Sequence, residues 1–149
     1  MNKYECPLCL IDPLNHSLNK LFENNNEIYY YSCPSEAKLY FDVNGIIGHY
    51  SGELSEIPTD KEWIWIFDSI NFNFKHFIQF DVGIGLAKLI SSKFSKNLKK
   101  IIIINPTIYI SSTYTVIKPF LNDKVKSLIE FNYDVKNKSE LVNYNSYVH

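Results

Sequence analysis

The chain has 149 residues, of which 46% are hydrophobic and 15% aromatic, so its length and composition suit a single domain with a substantial core. Its net charge is −1 and its basic residues are all lysine, which argues against a nucleic acid partner and excludes an arginine finger. Three cysteines, with no apolar run long enough for a signal peptide or a membrane span, indicate a cytoplasmic protein whose thiols are reduced or bind metal.

The first predicted segment is a loop-rich leader over residues 1–27, in which apolar residues at helical spacing favour a short helix over 14–22. The aromatic run EIYYYSC at 27–33 favours a β-strand. Further on, Asn44-Gly45 lies between LYFDV and IIGHY and is typical of a type I′ turn. We therefore predict a small β-hairpin ahead of the main fold.

The leader also contains a C-x-x-C pair, Cys6 and Cys9. This spacing can place two thiolates on one tetrahedral zinc ion, and Cys33 and His16 could complete a Cys₃His site. Free thiols in a packed leader are the alternative, and both interpretations stay open. A thioredoxin-like redox role is disfavoured, because the pair does not lie between a strand and a helix.

From Trp63 onward, strand-like and helical apolar patterns alternate. The predicted elements are a strand at 63–68, a helix at 76–94, a strand at 101–104, a helix around 114–121, a strand at 128–133 and a short helix at 140–144. The isoleucine run at 101–104 predicts a strand that is apolar on both faces, which is typical of parallel sheets covered by helices. We therefore predict an α/β fold with a mainly parallel sheet and helices packed on it.

One ordered set of segments is more specific than any single element. It consists of WIWIFD, His76, KKIIIINP, Tyr109, Tyr114, IKPFL and KSLIEF. This set resembles the CRAL-TRIO lipid-binding domain, most strongly over residues 60–145, and we assign residues 28–149 to such a domain. The chain departs from the family at Asn105-Pro106, which lacks the usual intervening alanine.

The resemblance implies a deep apolar pocket that binds a hydrophobic small molecule or lipid between the sheet and a movable helix near residues 112–121. It implies a pocket floor formed by Ile64, Ile66, Ile102, Ile104, Ile129 and Phe131. It implies further ligand contacts from Tyr109, Tyr114, Ile117 and Leu121. The headgroup residues of phosphatidylinositol-binding members do not align, since Lys96 stands near the expected acid and Leu128 near the expected lysine.

The sequence carries few signs of catalysis. It has no nucleophile elbow and no H-E-x-x-H motif, and Gly83-Ile84-Gly85 lacks the third glycine of a dinucleotide-binding loop. Asp68, His49 and His76 each fit a structural role better than a catalytic one. We therefore predict that the protein is not an enzyme.

Two functions follow from these patterns. The first is binding or transfer of a hydrophobic ligand, and the alternative is a non-catalytic protein-interaction module that uses the same fold without a ligand. The lysine cluster at 93–100 could make transient contact with an anionic membrane surface, or it could be a solvated helix end. A GTPase-activating role, which the resemblance also allows, would lack an arginine supplied by this chain.

Overall fold

The computed structural model describes residues 6–12, 16 and 18–137. Within these residues, one sheet contains the strands β1 Leu18–Glu23, β2 Glu27–Ser32, β3 Glu62–Asp68, β4 Leu98–Ile104 and β5 Ile129–Asn132. The helices are α1 Pro7–Ile11, α2 Val43–Leu54, α3 Phe74–Phe77, α4 Phe80–Leu89, α5 Ile108–Ile117 and α6 Asp123–Leu128. A π-helical turn, Ile90–Phe94, extends α4, and 3-10 turns occupy Pro34–Glu36 and Lys118–Phe120.

The sheet is mainly parallel. Its strands lie in the order β1-β2-β3-β4-β5, and only the β1–β2 pair is antiparallel among the described strands. Helix α2 lies between β2 and β3 in the chain, α3 and α4 lie between β3 and β4, and α5 and α6 lie between β4 and β5. Each parallel pair is therefore joined by a helical connection, as parallel pairing requires. The predicted α/β fold is confirmed.

The two faces of the sheet belong to different apolar layers, because successive side chains of a strand point in opposite directions. Trp63, Trp65, Ile101 and Ile103 share one layer with the buried apolar side chains of α2, α4, α5 and α6. The opposite layer contains Ile64, Ile66, Ile102 and Ile104 together with Tyr29, Tyr31 and Cys33. A cavity between sheet and helices can therefore be lined only by the first set.

The β-hairpin predicted around the Asn-Gly pair is wrong, because this segment is helix α2. Asp42 caps the helix, and its side chain accepts a hydrogen bond from the backbone N–H of Gly45 at 3.2 Å. Ile46, Tyr50 and Leu54 lie four residues apart and are all buried in the layer that faces the sheet. A spacing of four is helical, and this periodicity together with the Asp42 cap outweighs the local turn preference of Asn-Gly.

The helix predicted over 14–22 is also wrong, because residues Leu18–Glu23 form the edge strand β1. The β1–β2 register shifts between Lys20 and Phe22, so the strand contains an irregularity of the β-bulge type. Leu21 and Phe22, although adjacent, therefore pack against the same apolar layer. The bulge breaks the strict alternation of a strand and makes the sequence look helical. It also follows that the sheet begins inside the segment assigned to the leader.

The other predicted elements that fall on described residues occur in the predicted order. The predicted strands at 63–68, 101–104 and 128–133 correspond to β3, β4 and β5. The helix predicted at 76–94 is divided into α3, α4 and the π-helical turn. The short helix predicted at 140–144 lies outside the described residues. Across the described part of the chain, no helix is both long enough and apolar enough to span a membrane.

Candidate functional site

An apolar cavity of about 80 Å³ lies between the sheet and the helices that follow β3 and β4. Its floor is formed by the strand residues Trp65, Phe67, Ile101, Ile103 and Ile129. Its walls and roof come from α4, α5, α6 and the segments beside them, including Phe72, Leu86, Ala87, Ile110, Thr113, Tyr114, Ile117, Leu121 and Val125. The lining carries no charged side chain, so the cavity favours apolar contents.

Four of the isoleucines predicted for the pocket floor do not line this cavity. Ile64, Ile66, Ile102 and Ile104 lie in the opposite layer of the sheet. The predicted alternation is displaced by one position, and such a displacement moves every side chain of a strand to the other face. In the cavity their places are taken by the odd-numbered neighbours in β3 and β4, which sequence reasoning missed.

The remaining predicted pocket residues divide into two groups. Tyr114, Ile117, Leu121 and Ile129 line the cavity. Phe131 lies outside the lining and packs edge-on against the ring of Tyr114, with the ring centroids 5.8 Å apart. Tyr109 is 36% exposed and contacts the rings of surface phenylalanines outside the cavity.

Helix α5 forms much of the roof, and its attachment to the core is limited. Within the helix, Ile110 is the single buried residue. Ser112 and Thr113 each donate a side-chain hydrogen bond to the carbonyl four residues earlier, both at 3.0 Å. Such bonds tend to bend and slightly destabilise a helix. The helix begins at Thr107, whose hydroxyl accepts from the Ile110 N–H at 3.3 Å and donates to the Phe72 carbonyl at 2.9 Å.

Gly83 and Gly85 lie inside α4, where they allow close helix packing. A Cβ atom at Gly83 would lie 3.1 Å from a methyl of Ile117 in α5. A Cβ atom at Gly85 would lie 2.9 Å from the terminal methyl of Ile47 in α2. The glycine pair therefore sets how closely α5 and α2 approach α4, and it is not a phosphate-binding loop.

Both carboxylate oxygens of Asp68 accept hydrogen bonds. One oxygen accepts from the Tyr31 hydroxyl at 2.7 Å, and the other accepts from the Ile70 N–H and the Asn105 side-chain amide, both at 3.0 Å. Burial, reinforced by the bond to Asp68, raises the pKa of Tyr31. Asp68 thus fixes the loop that follows β3.

His76 has an equally structural environment. Its Nδ1 accepts a hydrogen bond from the Asn73 N–H at 3.0 Å and so completes the capping box of α3. Its ring stacks on Phe72 with a centroid separation of 5.2 Å. Burial, with a smaller contribution from the Lys75 charge, lowers the pKa of His76 and keeps the ring neutral.

A second site joins the leader to α2. The side chains of Cys6, Cys9, His16 and His49 converge, and their ligand atoms all lie within 4.8 Å of one another. Burial raises the pKa of the Cys9 thiol to about 11, and burial likewise lowers the pKa of His49. Without a metal, the Cys9 thiol and the His49 ring are therefore both uncharged at neutral pH.

Cys33, predicted as a ligand of this site, lies elsewhere. It is fully buried beside the tyrosines of β2, and its Sγ lies 3.4 Å from the Ser35 hydroxyl. His49 occupies the fourth position of the cluster instead. Sequence reasoning missed His49 because the predicted hairpin placed it in a strand, whereas the helical spacing of α2 directs it into the core.

Two surface features bear on membrane contact. Of the predicted lysine cluster, Lys99 forms an ion pair with the buried Glu27, and Lys100 pairs with Glu130 at 3.0 Å. The positive charge of the cluster is therefore partly neutralised. The second feature is a surface aromatic cluster formed by Phe74, Phe77, Phe80 and Tyr109, whose neighbouring ring centroids lie 5.3–6.4 Å apart.

The comparisons with known proteins agree with this architecture. The crystal structure of Sfh5 superposes on 89% of this chain with a TM-score of 0.64 at 13% sequence identity, a likeness that establishes the fold alone. The chain spans about half of that protein, since the match covers 51% of it. Among curated proteins, no sequence matches. A family model described as the CRAL/TRIO domain matches residues 4–146, almost the entire chain. The chain therefore belongs to the CRAL/TRIO family.

Proposed function

We propose that this protein binds a small hydrophobic molecule or lipid in the cavity between the sheet and α5, and that it acts by non-covalent binding or transfer. The family is one of lipid-binding and small-hydrophobe-binding proteins. The observation that carries the proposal is the apolar lining beneath α5, a helix with one buried residue. Occupied polar groups at Asp68 and His76 support a protein without catalytic activity.

The size of the cavity requires a conformational change. About 80 Å³ is well below the roughly 300–1,000 Å³ of typical ligand pockets, so the described conformation is closed. Outward movement of α5 would enlarge the space, because Tyr114 and Ile117 are only partly buried. A ligand segment that buries about 300 Å² of apolar surface gains ~7 kcal/mol, from which the cost of opening the helix is subtracted.

The first experiment is native mass spectrometry of freshly purified protein, followed by denaturation and extraction. We expect a bound mass of a few hundred daltons, on the order of a single lipid or terpenoid, that leaves on denaturation. The stripped protein is then titrated with the fluorescent fatty acid cis-parinaric acid. A bare polypeptide mass, together with no uptake of this probe, would contradict the proposal.

A matched pair of variants on α5 localises the binding. Ile117 lines the cavity, whereas its partly buried neighbour Val116 does not. Ile117→Asp should abolish uptake of cis-parinaric acid, because a carboxylate in an apolar cavity must be desolvated without a partner. Val116→Asp should leave uptake unchanged. Circular dichroism of both variants checks that α5 and the sheet still form.

The alternative function is a protein-interaction module that uses the fold without a ligand. The small volume of the closed cavity favours this alternative. It predicts the same bare mass in native spectra and an α5 that stays closed in the presence of lipids. Amide hydrogen exchange over residues 108–117, with and without mixed phospholipid vesicles, separates the two functions.

We further propose that the surface aromatic cluster contacts a membrane while the ligand is exchanged. Phe74 and Phe80 are 57% and 43% exposed, and both adjoin Phe77 or Tyr109 at the roof side of the cavity. Aromatic side chains suit the boundary between water and hydrocarbon. The three cysteines, all within the described residues, form no disulfide, which fits a reducing compartment, and we therefore place this exchange at a cytoplasmic membrane surface.

A further inference from the structure

Four side chains from separate parts of the chain meet beside α2. Cys6 and Cys9 lie three residues apart on the turn of α1, His16 follows in the chain, and His49 projects from α2. Cys6, His16 and His49 are buried, and Cys9 is partly buried. Two thiols and two imidazoles are the donor set of a Cys₂His₂ metal site.

The distances among these groups match the edges of a tetrahedral site. His16 Nδ1 lies 3.3 Å from Cys6 Sγ and 3.6 Å from Cys9 Sγ. A zinc ion with Zn–S bonds of ~2.3 Å and Zn–N bonds of ~2.0 Å places sulfur and nitrogen about 3.5 Å apart. All four ligand atoms lie within 4.8 Å of one another, so small side-chain rotations would complete the tetrahedron.

Neighbouring groups orient both imidazoles for this role. His16 Nε2 lies 3.0 Å from a carboxylate oxygen of Asp42, and His49 Nε2 lies 2.8 Å from the carbonyl of Leu18. Both oxygens accept hydrogen bonds, so each Nε2 carries the proton and each Nδ1 carries the lone pair. A carboxylate or carbonyl behind a metal-binding histidine is the usual arrangement.

The chain also keeps space for the Asp42–His16 contact. A Cβ atom on Gly45 would lie 1.9 Å from the Asp42 carboxylate and 2.7 Å from His16 Nε2. The absence of a side chain at this position is thus required for the carboxylate to reach the imidazole. Asp42 serves two purposes, since it also caps α2.

We propose that Cys6, Cys9, His16 and His49 bind one Zn²⁺ in a closed structural site that fastens α1 to α2. Four protein ligands leave no open coordination position, which distinguishes a structural site from a catalytic one. Tetrahedral sulfur and nitrogen ligation favours zinc over the harder divalent cations. Helix α1 has five residues and none of them is buried, so core packing does little to hold it and ligation to the metal supplies the attachment.

The test uses the full chain purified under reducing conditions without added chelator. Elemental analysis should find one zinc per chain. After removal of zinc, Co²⁺ alone should restore the site and give the intense visible bands of tetrahedral cobalt together with thiolate-to-cobalt charge transfer. Iron in place of zinc, no stoichiometric metal, or a weak octahedral cobalt spectrum would each overturn the proposal without recourse to any variant.

Variants then identify the ligands. Cys9→Ser and His49→Gln should each lower the affinity for zinc at least tenfold, because loss of a ligand should cost no less than the ~10–100-fold that loss of its hydrogen-bonding partner costs. Cys33→Ala is the matched control, because it removes the other cysteine and leaves the cluster intact. Zinc lost in Cys33→Ala but retained in His49→Gln would refute this ligand set. Hydrogen exchange over residues 6–12 should rise on zinc removal in the wild-type chain, a change that mere packing of free thiols would not produce.

Discussion

Two adjacent isoleucines of β4 provide a direct test of which sheet face carries the cavity. Ile102 and Ile103 are 2% and 7% exposed, so burial hardly distinguishes them. Ile103 lines the cavity together with Phe67, whereas Ile102 belongs to the opposite layer with Ile66 and Tyr31. Each single replacement by alanine removes the same atoms from the same strand. Ile103→Ala changes the face that lines the cavity, and Ile102→Ala changes the opposite face.

The expected cost differs because one side chain already borders empty space. Truncation of a buried isoleucine to alanine costs ~2–5 kcal/mol, and part of that cost is the loss of the packing contacts that the removed atoms made. Ile103 adjoins a void of about 80 Å³ and has fewer packing contacts to lose, so Ile103→Ala should cost ~2–3 kcal/mol. Ile102 lies in the opposite layer and does not border this void, so Ile102→Ala should cost ~4 kcal/mol.

Benzene binding supplies the second measurement. In Ile103→Ala the volume left by the side chain merges with the existing void. The merged cavity approaches the ~150 Å³ at which an apolar cavity binds benzene. Benzene at ten times its Kd should stabilise this variant by ~1.4 kcal/mol and raise its Tm by ~3–6 °C. Ile102→Ala should show little change. Urea unfolding and thermal scans measure both quantities. Equal stabilisation of the two variants, or a larger cost for Ile103→Ala, would refute the assignment of the cavity to this face.

Three further predictions address the surface, the pH dependence and the metal site. Phe74→Asp should reduce cosedimentation with phospholipid vesicles several-fold, while Phe41→Asp, at an exposed phenylalanine outside the aromatic cluster, should not. Because the folded state lowers the pKa of His76 from its ordinary value of 6.5, its contribution to stability is complete above pH 6.5 and is lost as the pH falls below it. His76→Gln keeps a side-chain acceptor for the α3 cap, so its urea unfolding free energy should fall less steeply below pH 6.5 than that of wild type. Asp42→Asn should weaken zinc binding by ~10–100-fold in competition titrations, with unfolding of the zinc-free protein little changed, because asparagine retains an oxygen to cap α2.

Much of the fold was predictable because its central segments carry long, consistent patterns. The isoleucine run of β4 and the aromatic run of β3 could only be buried strands, and the helical spacing between them required crossover connections. Errors occurred where a short local signal competed with a longer one. At Asn44-Gly45 the turn preference obscured the Asp42 cap and the helical spacing that follows it. At β1 a bulge disguised a strand as a helix.

The face of the sheet that lines the cavity was not predictable from these residues. Every position from Ile101 to Ile104 is isoleucine, so the strand has no polar residue to mark one side. The choice of face is made by neighbours distant in sequence, since the α4 and α5 side chains pack over Trp65 and Ile103. If the inward-facing positions of β3 or β4 are assigned one residue too early or too late, neither composition nor hydrophobicity reveals the error. Every residue of that strand predicted for the cavity floor is then replaced by its neighbour.

The cluster of cysteines and histidines was only partly predictable, because one of its members is also positioned by residues distant in sequence. Cys6, Cys9 and His16 lie close together in sequence, whereas the fourth group depends on the conformation of a segment more than thirty residues away. Only the helical conformation of α2 brings His49 towards the leader and, on the same helix, turns Ile46 and Tyr50 into the core.

Helix α2 thus connects the two candidate sites. A small void lined by His16, Ile46 and Tyr50 also touches Tyr40, Phe67 and Leu86, and the last three residues line the main cavity as well. A metal that fixes His16 and His49 would hold the middle of α2 against this shared wall. The roof at α5 would then be the part of the cavity left free to move, because α5 has a single buried residue. The cavity would then have a rigid wall at α2 and a weakly attached helix at α5. Opening of the closed cavity would therefore occur at α5.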